Sequence, residues 1–176
     1  MGFVNAHFVA YTTDLGATPV QGAFGLATVG IAGLAGGITF GYLADKFGRR
    51  PLLVVAYAIR VIGYSVLLSA TDIPMAILGV VIIGSSWTSV ISLTATVTSD
   101  AYGLRRLGTI YGTMFVVMPF GSSAAVWLAG RIYDSNGNYD LALWLSLAAG
   151  LVAAIVLAIP STGISRRIWP HPAQAQ

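Results

Sequence analysis

Apolar residues form long runs in this chain, and short polar stretches separate them. Each of five runs is long enough to cross the hydrocarbon core of a bilayer as a helix, which takes roughly 20 residues. The predicted spans cover about residues 20–44, 51–71, 75–97, 108–130 and 140–160. A sixth run, residues 1–13, is too short to span. It is predicted to be the outer part of a helix whose beginning is missing from this chain.

Composition supports a membrane protein. The chain has 176 residues, of which 56% are hydrophobic and 9% charged, and its mean hydropathy is +0.81. A soluble domain carries roughly a quarter charged residues, so these few charges leave a water-facing surface uncovered. We therefore predict an all-α polytopic membrane protein surrounded by lipid. Cysteine is absent, and His7 and His171 are far apart in sequence, so neither a metal site nor another cofactor is predicted.

Basic residues lie at the ends of the apolar runs, which indicates topology rather than nucleic-acid binding. Arg131 lies alone on one side, and Arg60 lies inside a span. The opposite side carries Lys46, Arg49, Arg50, Arg105, Arg106, Arg166 and Arg167. The positive-inside rule makes this side cytoplasmic, with a cytoplasmic C-terminus in the plasma (cell inner) membrane. Residues 164–176 are predicted to be a disordered cytoplasmic tail.

A short motif, G-x-x-x-D-x-x-G, occurs twice. The first copy consists of Gly41, Asp45 and Gly48, and the second of Gly130, Asp134 and Gly137. The copies are 89 residues apart, about three spans and their loops, so the second lies on the opposite membrane face. This placement is typical of an inverted-topology repeat.

The first copy continues into two arginines and a proline, "GYLADKFGRRP". Asp45 falls where its helix ends, beside the negative end of the helix dipole. This placement is favourable if Arg49 or Arg50 folds back onto the carboxylate, or if another helix N-terminus approaches it. Gly48 permits a left-handed turn there. We predict a charge clamp that closes in one conformation; the alternative is an ordinary basic loop, which leaves Asp45 and the glycines unexplained.

These residues resemble the cytoplasmic loop signature of the major facilitator superfamily, G-x-x-x-D-[RK]-x-G-R-[RK]. The match covers Gly41, Asp45, Lys46, Gly48, Arg49 and Arg50. The segments "HFVAYTTDLG", "LRRLGTIYG" and "AGRIYDSNGNYDLAL" resemble its oxalate/formate and monocarboxylate-like branch. The resemblance implies that residues 1–163 form a six-helix half with a 3+3 inverted repeat, from the end of helix seven through helix twelve.

The same resemblance implies a function. In the family, two six-helix halves rock about a central site, so this chain is expected to transport a small solute, such as an organic anion, by alternating access. Its expected partner is the missing N-terminal half, or a second copy of the chain. The alternative is a truncated, non-transporting fragment or a membrane assembly partner. An enzyme is not predicted, because no paired carboxylates, Ser–His pair or metal cluster lies at membrane depth.

Arg60 is a candidate substrate-binding residue. It lies roughly 13 Å into its predicted span, at 1.5 Å per residue, too deep to reach the membrane surface easily. Tyr57 and Tyr64 share its helix face. A guanidinium there suits a carboxylate ligand, and the alternatives are a structural pairing within the protein or a misplaced span.

Two further groups are candidate cavity residues. One is a stripe of hydroxyl side chains at helical spacing, which lies beside Trp87. The stripe consists of Ser85, Ser89, Ser92, Thr96 and Ser99. The family resemblance places this helix on the central cavity, and the alternative is that the hydroxyls bond to carbonyls of their own helix or to a neighbouring helix. The other is His7 with Tyr11, a candidate proton or substrate group; the alternative is a histidine satisfied at an interface.

Two further observations concern packing and coupling. Gly33, Gly37 and Gly41 recur at a spacing of four and predict a small-residue ridge for close helix packing. Glutamate is absent, and the aspartates fall in loops or at span ends. Proton coupling is therefore expected to reside in the missing half, unless the mode is uniport or exchange.

Overall fold

The computed structural model describes residues 1–159, and the predicted tail at 164–176 lies outside them. Over these residues the chain is helical, without strands. The α-helices are α1 (Gly2–Asp14), α2 (Pro19–Phe47), α3 (Arg49–Leu68), α4 (Ile73–Ser85), α5 (Trp87–Tyr102), α6 (Leu107–Asn136) and α7 (Asp140–Ala158). A short 3-10 turn, Leu104–Arg106, precedes α6.

Five of these helical stretches are long and apolar enough to cross a membrane, with α4 and α5 together forming one of them. The 13-residue α1 is shorter. The predicted all-α polytopic fold, five full spans plus one partial helix, is confirmed. Most of α6 and α7 is exposed, as expected for surfaces that face lipid or another lobe rather than water.

The ends of the long helices follow from local sequence. Thr18 and Gln21 form a capping box at the start of α2, with Pro19 in its first turn. Gly48 ends α2 at φ 93 and ψ 149, a positive φ that favours glycine but an extended ψ, so the predicted left-handed turn is wrong there. Gly137, at the end of α6, does adopt the left-handed conformation, at φ 70 and ψ 10.

The connections between successive spans are short, so neighbouring spans in the chain run antiparallel. We call the side where α2, α5 and α7 end the basic face, since it carries Lys46, Arg49 and Arg105. Gly48, the last residue of the first motif copy, ends α2 on the basic face. Gly137, the last residue of the second copy, ends α6 on the opposite face. An inverted repeat predicts this arrangement.

Glycines bring α2 against the junction of α4 and α5. A β-carbon built on Gly36 would lie 1.7 Å from the carbonyl oxygen of Ser85, and one on Gly33 would lie 3.2 Å from Thr88 Oγ1. Gly41 meets nothing within 4 Å and is exposed. The predicted ridge of Gly33, Gly37 and Gly41 is therefore wrong at Gly41, because the contact face of α2 runs instead through Gly33 and Gly36.

A second close approach joins α3 to α4. A β-carbon on Gly63 would lie 2.5 Å from Ile83 Cγ1, and one on Gly79 would lie 2.9 Å from Leu67 Cδ2. Lipid tails are as apolar as leucine, so burial alone drives little association between helices in a bilayer. Close packing at glycines supplies the van der Waals contact that holds these helices together.

The Gly36 contact gives a direct test of this packing. We expect Gly36→Ala to lower the stability of the detergent-solubilised chain by at least about 1–3 kcal/mol, because the added methyl meets a backbone carbonyl that cannot rotate away. The midpoint of thermal unfolding, followed by circular dichroism, measures this change. Gly30→Ala is the control, since a β-carbon there meets nothing within 4 Å. Equal midpoints for the two variants would contradict the assigned contact.

Candidate functional site

The arginines of the first motif join the basic ends of three helices. Arg49 Nη1 lies 2.6 Å from Asp100 Oδ1, so the start of α3 is paired with the end of α5. Arg50 donates from Nε to the carbonyl oxygen of Leu157 at 3.2 Å and also to the carbonyl of Ile159. A guanidinium at the C-terminal end of α7 satisfies carbonyls that the helix leaves unpaired and complements the helix dipole.

Arg49 does not fold back onto Asp45, which is one of the three arrangements that would favour the carboxylate there. Arg49 points across to Asp100, 51 residues further along the chain, because the positive-φ turn at Gly48 starts α3 immediately and aims its first residues at α5. Within residues 1–159 no hydrogen bond or ion pair is recorded for the exposed Asp45 side chain. Lys46 instead lies with its Nζ 5.4 Å from the Phe47 ring centroid. The observed ion pair therefore joins α3 to α5.

This ion pair is weak enough to open. The side chains of Arg49 and Asp100 are 42% and 54% exposed. Exposed pairs of this kind contribute roughly 0.2–1 kcal/mol and are screened by salt. A contact of this strength favours one arrangement of the helix ends without locking it.

His7 lies in the interface between α1 and α6. Its Nε2 is 3.0 Å from the carbonyl oxygen of Val126, which only accepts, so Nε2 carries the proton. Its Nδ1 is 3.3 Å from the Tyr139 hydroxyl. When Nε2 carries the ring proton, Nδ1 accepts from the Tyr139 hydroxyl, so one tautomer serves both contacts. Both ring nitrogens of His7 are engaged with the protein.

The second motif copy packs at the same place. A β-carbon on Gly130 would lie 3.7 Å from His7 Cε1, an ordinary van der Waals distance, so Gly130 lies directly beside the imidazole. Tyr133, between Gly130 and Gly137, donates to Asp14 at 3.1 Å and stacks on Tyr139 with ring centroids 4.4 Å apart. Asp134 is exposed. The second motif copy therefore lies where α1 packs against α6. The first copy is followed directly by Arg49, which forms the ion pair with Asp100.

Tyr11 is a packing residue. Its side chain is buried, and its hydroxyl donates to the carbonyl oxygen of Leu67 at 2.6 Å, which joins α1 to the end of α3.

The hydroxyl stripe is bonded mainly to its own helix. Ser92 donates to the carbonyl of Ser89 at 3.2 Å, and Thr96 to that of Leu93 at 3.0 Å. Ser85 and Ser99 make equivalent bonds. Ser89 is fully buried, and its hydroxyl has no hydrogen-bond partner within residues 1–159. Hydrogen bonding to carbonyls of the same helix is one of the two alternatives stated for this stripe. These bonds use the O–H donors of four of its five hydroxyls.

The helix over the predicted span 75–97 is broken, which the hydrophobic pattern does not indicate. The α-helix ends at Ser85 and restarts at Trp87, with Ser86 at φ −96 and ψ −4. The Ser86 hydroxyl donates to the carbonyl of Ile83 at 3.0 Å and accepts from Arg60 Nε at 3.4 Å. The only sequence signal is the small-residue stretch "GSS", which also occurs in unbroken helices.

Arg60 borders a cavity of about 280 Å³. Its guanidinium carbon lies 5.4 Å from the Tyr57 ring centroid and 5.6 Å from that of Trp87, so aromatic faces flank the cation. Tyr57 and Tyr64 line the cavity with Ser146 of α7, and the rest of the lining is mainly small and apolar. The structure thus brings Arg60 and Trp87 together but leaves His7, Tyr11, Ser89 and Ser92 outside this cavity. Within residues 1–159, no group of three or more metal-binding side chains occurs.

A bundle of five apolar spans and the shorter α1, with glycine–aspartate turns on its opposite faces, defines a polytopic helical membrane protein. The profile of the Major Facilitator Superfamily matches residues 1–168, and the chain belongs to that family. The resemblance drawn from "GYLADKFGRRP" is therefore confirmed.

Curated relatives carry transporter names. The chain is 27% identical over 172 residues to an uncharacterized MFS-type transporter, YcxA, of Bacillus subtilis, covering 91% of this chain and 40% of that protein. It is 23% identical to human monocarboxylate transporter 12, over 86% of this chain and 30% of that one. An MFS-type efflux transporter of Aspergillus flavipes is 25% identical to the chain, over 68% of this chain and 21% of that protein. The chain therefore spans less than half the length of these relatives.

The His7 interface predicts a stability effect. We expect Tyr139→Phe to lower the stability of the folded chain by about 1 kcal/mol, because the mutation removes the hydrogen bond to His7 and leaves Nδ1 without its donor. Tyr42→Phe is the matched control, since Tyr42 is 69% exposed. Thermal unfolding in detergent measures both variants. Identical losses in the two, or no loss in Tyr139→Phe, would contradict the assignment of His7 to a structural interface.

Proposed function

We propose that this chain is the C-terminal lobe of a carrier that transports a small solute by alternating access. The ion pair between Arg49 and Asp100 carries this proposal. It joins the motif turn to the end of the broken α4–α5 span, it is exposed, and it is weak enough to form in one conformation and open in another.

The proposed partner is a second six-helix lobe, supplied by an N-terminal half or by another copy. Gly41 and Asp45 support a partner on α2, because both are exposed and a β-carbon on Gly41 meets nothing within this lobe. A helix N-terminus from the partner, with its unpaired N–H groups, would stabilise the carboxylate of Asp45.

We further propose that the basic face is cytoplasmic and that the membrane is the plasma membrane. The clustering of Lys46, Arg49 and Arg105 on one face supports this orientation, since cytoplasmic loops carry an excess of lysine and arginine.

The proposed solute is a small organic anion. The name of human monocarboxylate transporter 12 supports this class. Arg60 also supports it, as the only arginine deep within a span among residues 1–159. The second candidate is a truncated, non-transporting fragment or a membrane assembly partner. The chain spans 40% or less of the length of these two relatives.

The clamp is testable in a completed carrier, the chain joined to a six-helix N-terminal half, reconstituted in vesicles. We expect Arg49→Asp and Asp100→Arg each to change the initial rate of solute uptake by roughly two- to fivefold, because each removes about 0.5–1 kcal/mol from the closed arrangement. The double reversal should restore the rate, because the pair is re-formed with opposite polarity.

Arg105→Asp is the control, since it changes the same charge on the same face and no ion pair is recorded for Arg105 within residues 1–159. Failure of the double variant to recover, with folded protein in every sample, would reject the clamp. Absence of uptake in the unaltered completed carrier would instead favour the non-transporting fragment.

A further inference from the structure

Arg60 lies deep inside a membrane-spanning helix, and its side chain reaches the break between α4 and α5. It is the twelfth of the 20 residues of α3, so both ends of the helix are at least about 12 Å away at 1.5 Å per residue. Its Nε donates to the Ser86 hydroxyl at 3.4 Å, and its guanidinium carbon lies 5.6 Å from the Trp87 ring centroid. Arg60 therefore contacts both the residue at the break and the first residue of α5.

The Ser86 hydroxyl links Arg60 to the backbone of α4. In an unbroken helix, the carbonyl oxygen of Ile83 accepts from the N–H of Trp87, four residues later. Here it accepts from Ser86 instead, from the hydroxyl at 3.0 Å and from the N–H at 3.3 Å. A hydroxyl that accepts a hydrogen bond from a cation becomes a stronger donor, because hydrogen bonds in a chain polarise one another. Arg60 thus strengthens a bond that takes the place of the helical one.

The break leaves a buried hydroxyl without a partner, so other contacts must hold it. Ser89 is fully buried, and its hydroxyl has no hydrogen-bond partner within residues 1–159. In a continuous helix this hydroxyl is able to donate to the carbonyl oxygen of Ser85, four residues earlier. That carbonyl lies against α2 instead, where a β-carbon on Gly36 would lie 1.7 Å from it. An unpaired buried hydroxyl costs free energy, so the break does not persist without support.

The break also sets the direction of α5. Asp100, which forms the ion pair with Arg49, lies 13 residues beyond Trp87, a distance of about 20 Å at 1.5 Å per residue. Removing a kink of about 20° at the start of α5 would therefore move Asp100 by roughly 7 Å. A movement of this size separates a pair whose atoms lie 2.6 Å apart.

We propose that Arg60 is a positioning residue that keeps the α4–α5 span broken, through Ser86, and thereby directs Asp100 toward Arg49. α3 carries both arginines, so this one helix holds α5 at its start and at its end. The role belongs to the folded lobe and is independent of the transport activity and of the solute proposed above.

Distances between spin labels measure the direction of α5. The chain has no cysteine, so Phe47→Cys and Tyr102→Cys introduce two labelled positions, exposed at the ends of α2 and α5. Double electron–electron resonance on the purified chain in phosphatidylcholine nanodiscs gives the distance between them. We expect Arg60→Met and Ser86→Ala each to shift this distance by roughly 3–7 Å, because the span straightens.

Two further variants distinguish this role from general support of the fold. The combination of Arg60→Met with Ser86→Ala should shift the distance no further than either change alone, because the two residues act in series. Arg60→Gln should shift it less than Arg60→Met, since the amide nitrogen of glutamine takes the place of Nε and is able to donate to Ser86.

Matched controls carry changes of the same kind away from the break. Ser92→Ala removes a hydroxyl of α5 that donates to the carbonyl of Ser89, and Arg131→Met removes a guanidinium that lies 5.5 Å from a tryptophan ring. Both should leave the distance unchanged. A second label pair, Tyr42→Cys with Ile62→Cys, joins α2 to α3 without crossing the break and should keep its distance in every variant.

An unchanged distance in both Arg60→Met and Ser86→Ala would overturn the proposal, as would an equal shift in Ser92→Ala. Equal movement of both label pairs would also overturn it, because the whole bundle would then have loosened. If Arg60→Met does not fold, judged by circular dichroism and size-exclusion chromatography, Ser86→Ala decides alone, since it removes a single oxygen atom. Solute uptake by the completed carrier is a separate measurement, so a failure of transport leaves this test intact.

Discussion

The contact between α2 and the α4–α5 junction is the constraint on which the rest of the bundle depends. A bilayer offers no water to a broken helix, so the carbonyls released at Ser86 must find partners inside the protein. The Ser85 and Ser86 hydroxyls bond to the carbonyls of Ile82 and Ile83. Gly36 then allows α2 to lie directly on this junction. A larger residue on α2 would separate the helices and expose the break to lipid.

The same helices connect this junction to both candidate functional features. α2 passes from Gly36 to the motif turn at Gly48, and α3 runs from Arg49 in the ion pair to Arg60 at the junction. The ion pair is exposed and weak, whereas the junction is buried and closely packed. A lobe built in this way has a rigid interior and a contact at its basic face that is able to open, which suits the rocking motion proposed for it.

Much of the architecture was predictable from the sequence, because span length, hydropathy and turn residues are local properties. The five spans, the short first helix and the doubled glycine–aspartate motif all follow from them. The partner choices are not local. Arg49 pairs with Asp100, and His7 contacts Tyr139, 132 residues away, because the packing of the spans brings these side chains together.

Two further errors have physical causes. The glycine spacing of α2 is compatible with two contact faces, and only packing against α4 selects Gly36 over Gly41. The break at Ser86 has no proline to mark it, and the apolar run around it satisfies the pattern of an unbroken span. The depth of Arg60, by contrast, was predictable, because its position in the span is read directly from the sequence.

An inverted repeat places the two motif copies on opposite faces of one membrane-embedded lobe. The chain has no cysteine, so Lys46→Cys and Asn136→Cys each introduce a single thiol, at an exposed position beside one copy. Labelling sealed, oriented vesicles with a membrane-impermeant maleimide, before and after permeabilisation, reports the side of each thiol. We expect one thiol to react before permeabilisation and the other only afterwards. Labelling of both thiols from the same side would contradict it.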